Sequence, residues 1–227
     1  MSSSVSSIER RTTLTRERVV AAAIGLADRH GIESVSMRKL GQELGIEAMS
    51  LYTHVRNKDD LLDAMVDAVV REIPTPPGGG DWKASLRATI LGARGVLLRH
   101  PWAPHIIETR PDPGEAVLRH TDTLIGIMRE GGLSIGLTHH ALHLLGSRIL
   151  GFSQDLFDDS GDVSPEQMAI LAERLGATHP WVAEMAVAVS HEGGLGGCDD
   201  DVEFEFALDL ILDGLERAAF SARRRRA

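Results

Sequence analysis

Residues 36–55 read SMRKLGQELGIEAMSLYTHV. Leu40 and Leu44 stand four apart, as do Leu51 and Val55, the spacing that puts two side chains on one face of a helix. The two apolar stripes can face each other across a turn at Gly45 and Ile46. Gly45 follows the last apolar residue of the first stripe, where a helix commonly ends in a left-handed residue that glycine adopts without a Cβ penalty. Gly41 leaves room for a close approach. The second segment carries small and hydrogen-bonding side chains where a core helix would carry bulk. The pattern is that of a helix-turn-helix, whose second helix enters the major groove of DNA.

Upstream, a helix is expected from Thr15, its N-cap, to about His30, with Val20, Ala23, Ile24 and Ala27 as its buried stripe and Gly31 as its stop. Ser36 caps the next helix. Downstream, Asn57 caps a fourth helix, with Asp59 and Asp60 placing negative charge at its N-terminus, where the helix dipole favours it. Its apolar face, Leu61, Leu62, Met65, Val66, Val69 and Val70, runs on to Ile73. This helix is longer than a three-helix head needs, so it should connect the head to the rest of the chain. The segment PTPPGGGD, Pro74 to Asp81, cannot continue a helix or a strand. Beyond it the pattern stays helical: Trp82 to Arg99, an irregular piece WAPHIIETRPDPG, Glu115 to Glu130, Ser134 to about Phe157, Pro165 to Leu175, Pro180 to Val189 and Val202 to Ala219. No repeat and no alternating strand pattern is present. The expected fold is all-α. Its parts are an N-terminal arm (1–13), a three-helix helix-turn-helix head with connecting helix (14–73), a loop (74–81), a helical body for ligand binding and dimerisation (82–222) and a basic tail (223–227).

The net charge is −9, which taken alone argues against nucleic acid. Its distribution does not: Glu9 to Lys58 holds nine Lys/Arg against six Asp/Glu, leaving −12 for the remainder. A basic head on an acidic body suits a module that meets phosphates while its body is held off them. The single cysteine, Cys198, excludes an internal disulfide framework and fits a reducing compartment, and no 18-residue apolar run suggests a membrane span. A cytoplasmic location follows as the expectation. The run Arg223 to Arg226 reads as a solvated tail.

The continuous stretch Leu14 to Leu62, with its RKL, LGI, LYTHV and NKDDLL elements in order, resembles the N-terminal domain of the tetracycline-repressor (TetR) family. ETRPDPG and the helix ending in MREGG resemble the body of tetracycline-repressor-like members. The resemblance implies a dimeric, ligand-responsive repressor that releases a palindromic operator on double-stranded DNA when a small molecule binds, and no enzyme. The expected DNA contacts are Ser36, Arg38, Ala48, Met49, Ser50, Tyr52, Thr53, His54 and Lys58. Ser50 and Tyr52 can donate to phosphates, near which His54 and Lys58 also lie. Arg38 is the candidate base reader, bidentate to guanine. Ala48 stands where the tetracycline-responsive member has an amide, and Met49 where it has a proline, so the operator should differ.

Apolar bulk with sparse polar groups marks Trp102, His105, Ile106, Arg110, Leu124, Met128, His143, Ser147 and Phe152 as candidate ligand contacts. Thr109 and Arg110 match the family's TRP element, but its magnesium-holding histidine is replaced by Ile106. An apolar small molecule other than tetracycline–magnesium is expected, with no cofactor and no bound metal. Of the enzyme-like signals, only the pair His139 and His143 forms the alternative. Gly132 to Gly136 spells G-x-S-x-G, but a nucleophile elbow needs a strand before the serine, and Ser134 follows a helix, which makes it an N-cap. His139 and His143, four apart, could share a metal in a helical enzyme. For the homodimer, the long helix from Ser134 and the last helix, with Leu208, Ile211, Leu212 and Leu215, are expected to build a four-helix interface.

Overall fold

A computed structural model describes residues 14–75, 80–150, 165–189 and 200–224. The N-terminal arm, residues 76–79 of the loop, Phe152, Cys198 and residues 225–227 lie outside the described residues. Among those described there are helices and turns but no strand. The chain divides into two compact units, Met1–Leu133 and Ser134–Ala227.

The first unit opens with α1 (Arg16–His30), capped by Thr15, whose hydroxyl accepts from the Arg18 amide. Its buried face is Val19, Val20, Ala23, Leu26 and Ala27, while Ile24 is only half-buried. The stripe is therefore turned towards Val19 and Leu26 from its expected position. A 3₁₀ turn, Ile32–Ser34, leads to α2 (Met37–Leu44), where Ser36 accepts from the Lys39 amide and Gly45 closes the helix at φ 66°. The next helix, α3 (Ala48–Leu51), is one turn long. Leu40, Leu51 and Val55 are fully enclosed, and α1 packs on both α2 and α4 (Lys58–Arg71).

Gly41 is where α2 meets the start of α3. A Cβ at this position would stand 2.9 Å from the Ile46 carbonyl oxygen and 3.1 Å from the Ala48 nitrogen. Both are backbone atoms of the turn and cannot rotate aside. Gly41→Ala is expected to lower stability by about 1–3 kcal/mol as an overpacking defect. Urea denaturation checks this, and an unchanged midpoint would disprove the close approach.

Asn57 caps α4 by accepting from the Asp60 amide at 2.8 Å. The helix buries Leu61, Leu62, Met65, Val66, Val69 and Val70 and packs on α5 (Trp82–Arg99), α6 (Ala103–Thr109) and α7 (Glu115–Glu130). Asp81 caps α5 through the Lys83 and Ala84 amides. The helix α6 replaces the irregular piece expected from its prolines. Pro104 falls in its first turn, where a missing N–H costs nothing, and Pro111 and Pro113 lie beyond its end. Polar ties also join α4 to the elements behind it. Arg110, at the end of α6, reaches Asp59 at 2.9 Å and Asp63 at 2.6 Å. Asp67 accepts from the Ala116 amide at 3.2 Å and so caps α7 from outside. A Cβ at Gly114 would collide with that same carboxylate.

The second unit contains α8 (Ile135–Leu150), α9 (Pro165–Thr178), α10 (Pro180–Val189) and α11 (Asp200–Arg224). Ser134 caps α8 by accepting from the Leu137 amide. The helices α9 and α10 pack on each other, as do α8 and α11. Phe204, Leu208, Leu212 and Leu215 are buried, with Ile211 half-buried. The stripe expected to be surplus for dimerisation is thus enclosed within the protomer. Among the described residues, the large apolar side chains that α11 leaves exposed are Val202, Phe206, Leu210 and Phe220.

Candidate nucleic-acid interface and the ties behind it

The outward side of α2 and α3 is unlike their inward side. Leu40 and Leu51 have no exposure, whereas Met49 is 73 % exposed and Tyr52 45 %. Arg38, Ser50, Thr53 and Lys58 are also exposed, with Ser36, Ala48 and His54 half-buried. The nine residues expected at DNA therefore lie on the two short helices and the segments bordering them. Arg38 and Lys58 make no ion pair among the described residues, so neither cation has to break a contact to reach a phosphate or a base. Ser36 uses a lone pair for its cap and keeps its proton for a phosphate. Thr53 donates to the Ser50 carbonyl at 2.7 Å and would have to exchange that bond.

A carboxylate that the sequence reading treated only as a dipole charge holds this surface in place. Asp60 is buried, and both its oxygens are used: Arg16 binds them in a fork at 2.9 and 3.0 Å, and Arg56 donates its amide at 2.9 Å and its guanidinium at 3.1 Å. Arg16 also donates to the His54 carbonyl at 2.7 Å. The turn from Tyr52 to Asn57 is thereby fastened to α1. The Arg16 guanidinium above all, then the Arg56 groups, holds the Asp60 carboxyl well below the usual carboxylate range despite its burial.

A second polar cluster lies at the far end of α1. Asp28 accepts from the Trp102 indole at 2.7 Å and lies 2.9 Å from Nδ1 of His100. Arg99, 2.7 Å away, and then His100 hold Glu72 below the ordinary carboxylate range. Neither cluster shows in periodicity, because their partners lie far apart in the chain.

The residues expected to touch a ligand are dispersed. In the first unit Trp102, Ile106, Leu124 and Met128 are buried, His105 is exposed, and Arg110 is half-buried in its pairing with Asp59 and Asp63. A depression between α4, α6 and the start of α7 is lined by Asp63, Val66, Ile107, Arg110, Asp112, Pro113, Gly114 and Val117, which includes one of the nine. His143 and Ser147 lie on the exposed side of α8 in the second unit, and the Ser147 hydroxyl donates to the His143 carbonyl. The His139 and His143 rings are 4.6 Å apart, centroid to centroid. Among the described residues no group of three or more His, Cys, Asp or Glu could hold a metal ion. No helix among them is long and apolar enough to cross a membrane.

Residues 19–65 match the family described as bacterial regulatory proteins, tetR family, and residues 73–219 match the tetracyclin repressor-like C-terminal domain. The chain belongs to the TetR family. It is 33 % identical over 218 residues to the HTH-type transcriptional repressor DrrR1 of Streptomyces coeruleorubidus, covering 91 % of this chain and 78 % of that one. It is 28 % identical over 211 residues to the class C tetracycline repressor protein of Escherichia coli, covering 90 % and 91 %. Apo ActR of Streptomyces coelicolor superposes with a TM-score of 0.76 at 28 % identity, over 93 % of this chain and 99 % of that one. ActR in complex with actinorhodin gives 0.70, at 28 % identity over 90 % and 96 %. This TetR-family chain is a ligand-responsive, DNA-binding transcriptional regulator with an N-terminal helix-turn-helix and a helical C-terminal domain. TetR-family regulators are transcription factors and generally not enzymes. Ser134, as the cap of α8, has no strand before it and serves as no nucleophile elbow.

Proposed function

We propose that this TetR-family regulator is a homodimeric repressor that leaves a palindromic operator when an apolar small molecule binds its body. The observation that carries the DNA half is the bare outward face of α2 and α3, with Arg38, Met49, Ser50 and Tyr52 exposed over an enclosed Leu40 and Leu51. In this reading residues 14–73 serve as the head and 82–222 as the body. Arg38 reads guanine, Met49 meets a thymine methyl, and Ser36, Ser50, Tyr52, Thr53, His54 and Lys58 meet the backbone, with Ala48 allowing close approach. Exposed Phe206 and Leu210 on α11 support pairing with a second copy, which doubles the short site that one recognition helix can read.

For the effector, the buried apolar residues Trp102, Ile106, Leu124 and Met128 support an apolar wall, with His105, Arg110, His143, Ser147 and Phe152 as further candidates. The Mg²⁺-holding histidine of the resemblance is absent at Ile106, so magnesium plays no part in this reading. That ActR binds actinorhodin supports a small organic effector for its relative. Ligand binding then favours a state in which the two heads no longer match the operator, and it does so only by its differential affinity for the two states.

The test is selection of duplexes from a random pool, followed by anisotropy titration of the recovered site. Affinity should fall steeply with salt, and Lys58→Ala should reduce the slope of log affinity against log salt by about 1 while leaving sequence preference intact. A flat salt response, or a pool that yields no enriched palindrome, overturns the proposal.

A further inference from the structure

The helix α8 carries three histidines within five residues, His139, His140 and His143, and all three are exposed. The back of the helix is fixed, since Thr138, Ala141 and Leu145 are buried and α8 packs on α11. A helix turns by about 100° per residue, so His139 and His143 fall about 40° apart, on the side away from that buried row. His140 falls about 100° from His139. The His139 and His143 rings stand 4.6 Å apart, centroid to centroid, and cross at 81°. The His140 ring is 5.8 Å from that of His139. Among the described residues neither ring of the pair has a hydrogen-bond or ion-pair partner.

A neutral imidazole offers a nitrogen lone pair to a metal ion, and two imidazoles one helical turn apart form a chelate. Bonds of about 2.1 Å at a right angle put the two donor nitrogens about 3 Å apart. Rings at the observed separation meet that spacing when one nitrogen of each turns inward. Nitrogen donors select copper, nickel and zinc, whereas magnesium and calcium take oxygen. Among the described residues no third His, Cys, Asp or Glu joins the pair. Water then fills the remaining positions, and the ion exchanges freely, unlike one in a structural centre closed by four protein ligands.

We propose that His139 and His143 form a chelating site for a divalent late transition ion, Cu²⁺, Ni²⁺ or Zn²⁺, clipped across one turn of α8. The site lies within the second unit and does not depend on the operator-binding reading. No reaction is assigned to it. The clip joins two residues that only the formed helix brings together, so the ion binds the folded chain in preference to the unfolded one and stabilises that turn. Affinity follows the general order for such ions, with Cu²⁺ tightest and Mn²⁺ far weaker.

The experiment is calorimetric titration of the untagged full chain with NiCl₂, set beside His139→Gln, His143→Gln and His140→Gln. The chain holds ten histidines, so the contrast between variants carries the result. Wild type should bind one ion per chain at this site. A direct ligand counts for at least as much as the groups around it, whose loss costs about 10–100-fold in metal affinity. The His139→Gln and His143→Gln variants should therefore each bind about tenfold more weakly or worse, while His140→Gln stays within about twofold of wild type. Saturating Ni²⁺ should raise the urea midpoint of wild type and of His140→Gln, and leave those of the two pair variants unmoved. Magnesium chloride should do neither. Nickel binding that survives both pair variants, that falls as far in His140→Gln, or that magnesium matches overturns the chelate, and the two rings then do no more than pack edge to face. If a pair variant does not fold, NMR of the histidine-labelled wild type with substoichiometric Cu²⁺ decides. Two ring signals should broaden first, and both should persist in His140→Gln. Broadening spread evenly over the histidines, or centred on the signal lost in His140→Gln, overturns the site.

Discussion

Asp60→Ala is expected to destabilise the chain by about 2–4 kcal/mol, which is a large share of the total stability of a typical domain. The substitution strands the part-buried Arg56 amide contact and takes the acceptor from the Arg16 and Arg56 guanidiniums at once. Both guanidiniums are partly exposed and can rehydrate, which keeps the cost below that of a fully enclosed pair. Asp60→Asn separates charge from shape. Since the folded chain holds this carboxyl below its ordinary value, its contribution is complete above about pH 4 and is lost as pH falls towards the depressed folded value. The gap between wild type and Asp60→Asn should therefore narrow on acidification below about pH 4 in urea titrations. A gap that widens would mean that the carboxylate is unfavourable where it sits. DNA binding should suffer in both variants even where they fold, because Arg16 loses the fork that aims it at the His54 carbonyl.

Arg38→Ala is expected to weaken binding to the preferred duplex by about 1–3 kcal/mol and to relax preference at a single base position. Stability should change little, because Arg38 is exposed and makes no ion pair among the described residues. The check is a competition titration against single-base variants of the recovered site. If affinity falls equally for every sequence, Arg38 is a phosphate contact and the base reader lies elsewhere on the face, where Met49 and Tyr52 are also exposed.

The parts of this fold that were legible in the sequence are those with local causes. Thr15, Ser36, Asn57 and Ser134 each cap the helix expected of them, because a cap needs only its own residue and an amide two or three positions on. Gly45 was legible for the same reason. The helix α6 was hidden by counting prolines rather than placing them, since one in a first turn and two beyond the end interrupt nothing. The Leu208, Leu212 and Leu215 stripe was read as surplus because the demand for it, from α8 in the same protomer, cannot be judged from one helix. At the candidate site, the exposed face was legible from its small and polar side chains. Its supports were not: Arg16 and Asp60 lie 44 residues apart, and Asp28 and His100 lie 72 apart. No local pattern marks an acid as the partner of a base so distant.

One arrangement in the first unit bears on how such a protein changes state. Along α4, Asp59 and Asp63 hold Arg110, and Asp67 two turns from the start holds the Ala116 amide of α7, its carboxylate standing where a Cβ at Gly114 would fall. Sliding or turning the rod by a fraction of a pitch strains all of these at once, since all of them are anchored on the one helix. Motion of α4 should then behave as a toggle with a threshold, resting at one stop or the other, and not as a dial that follows effector occupancy by degrees.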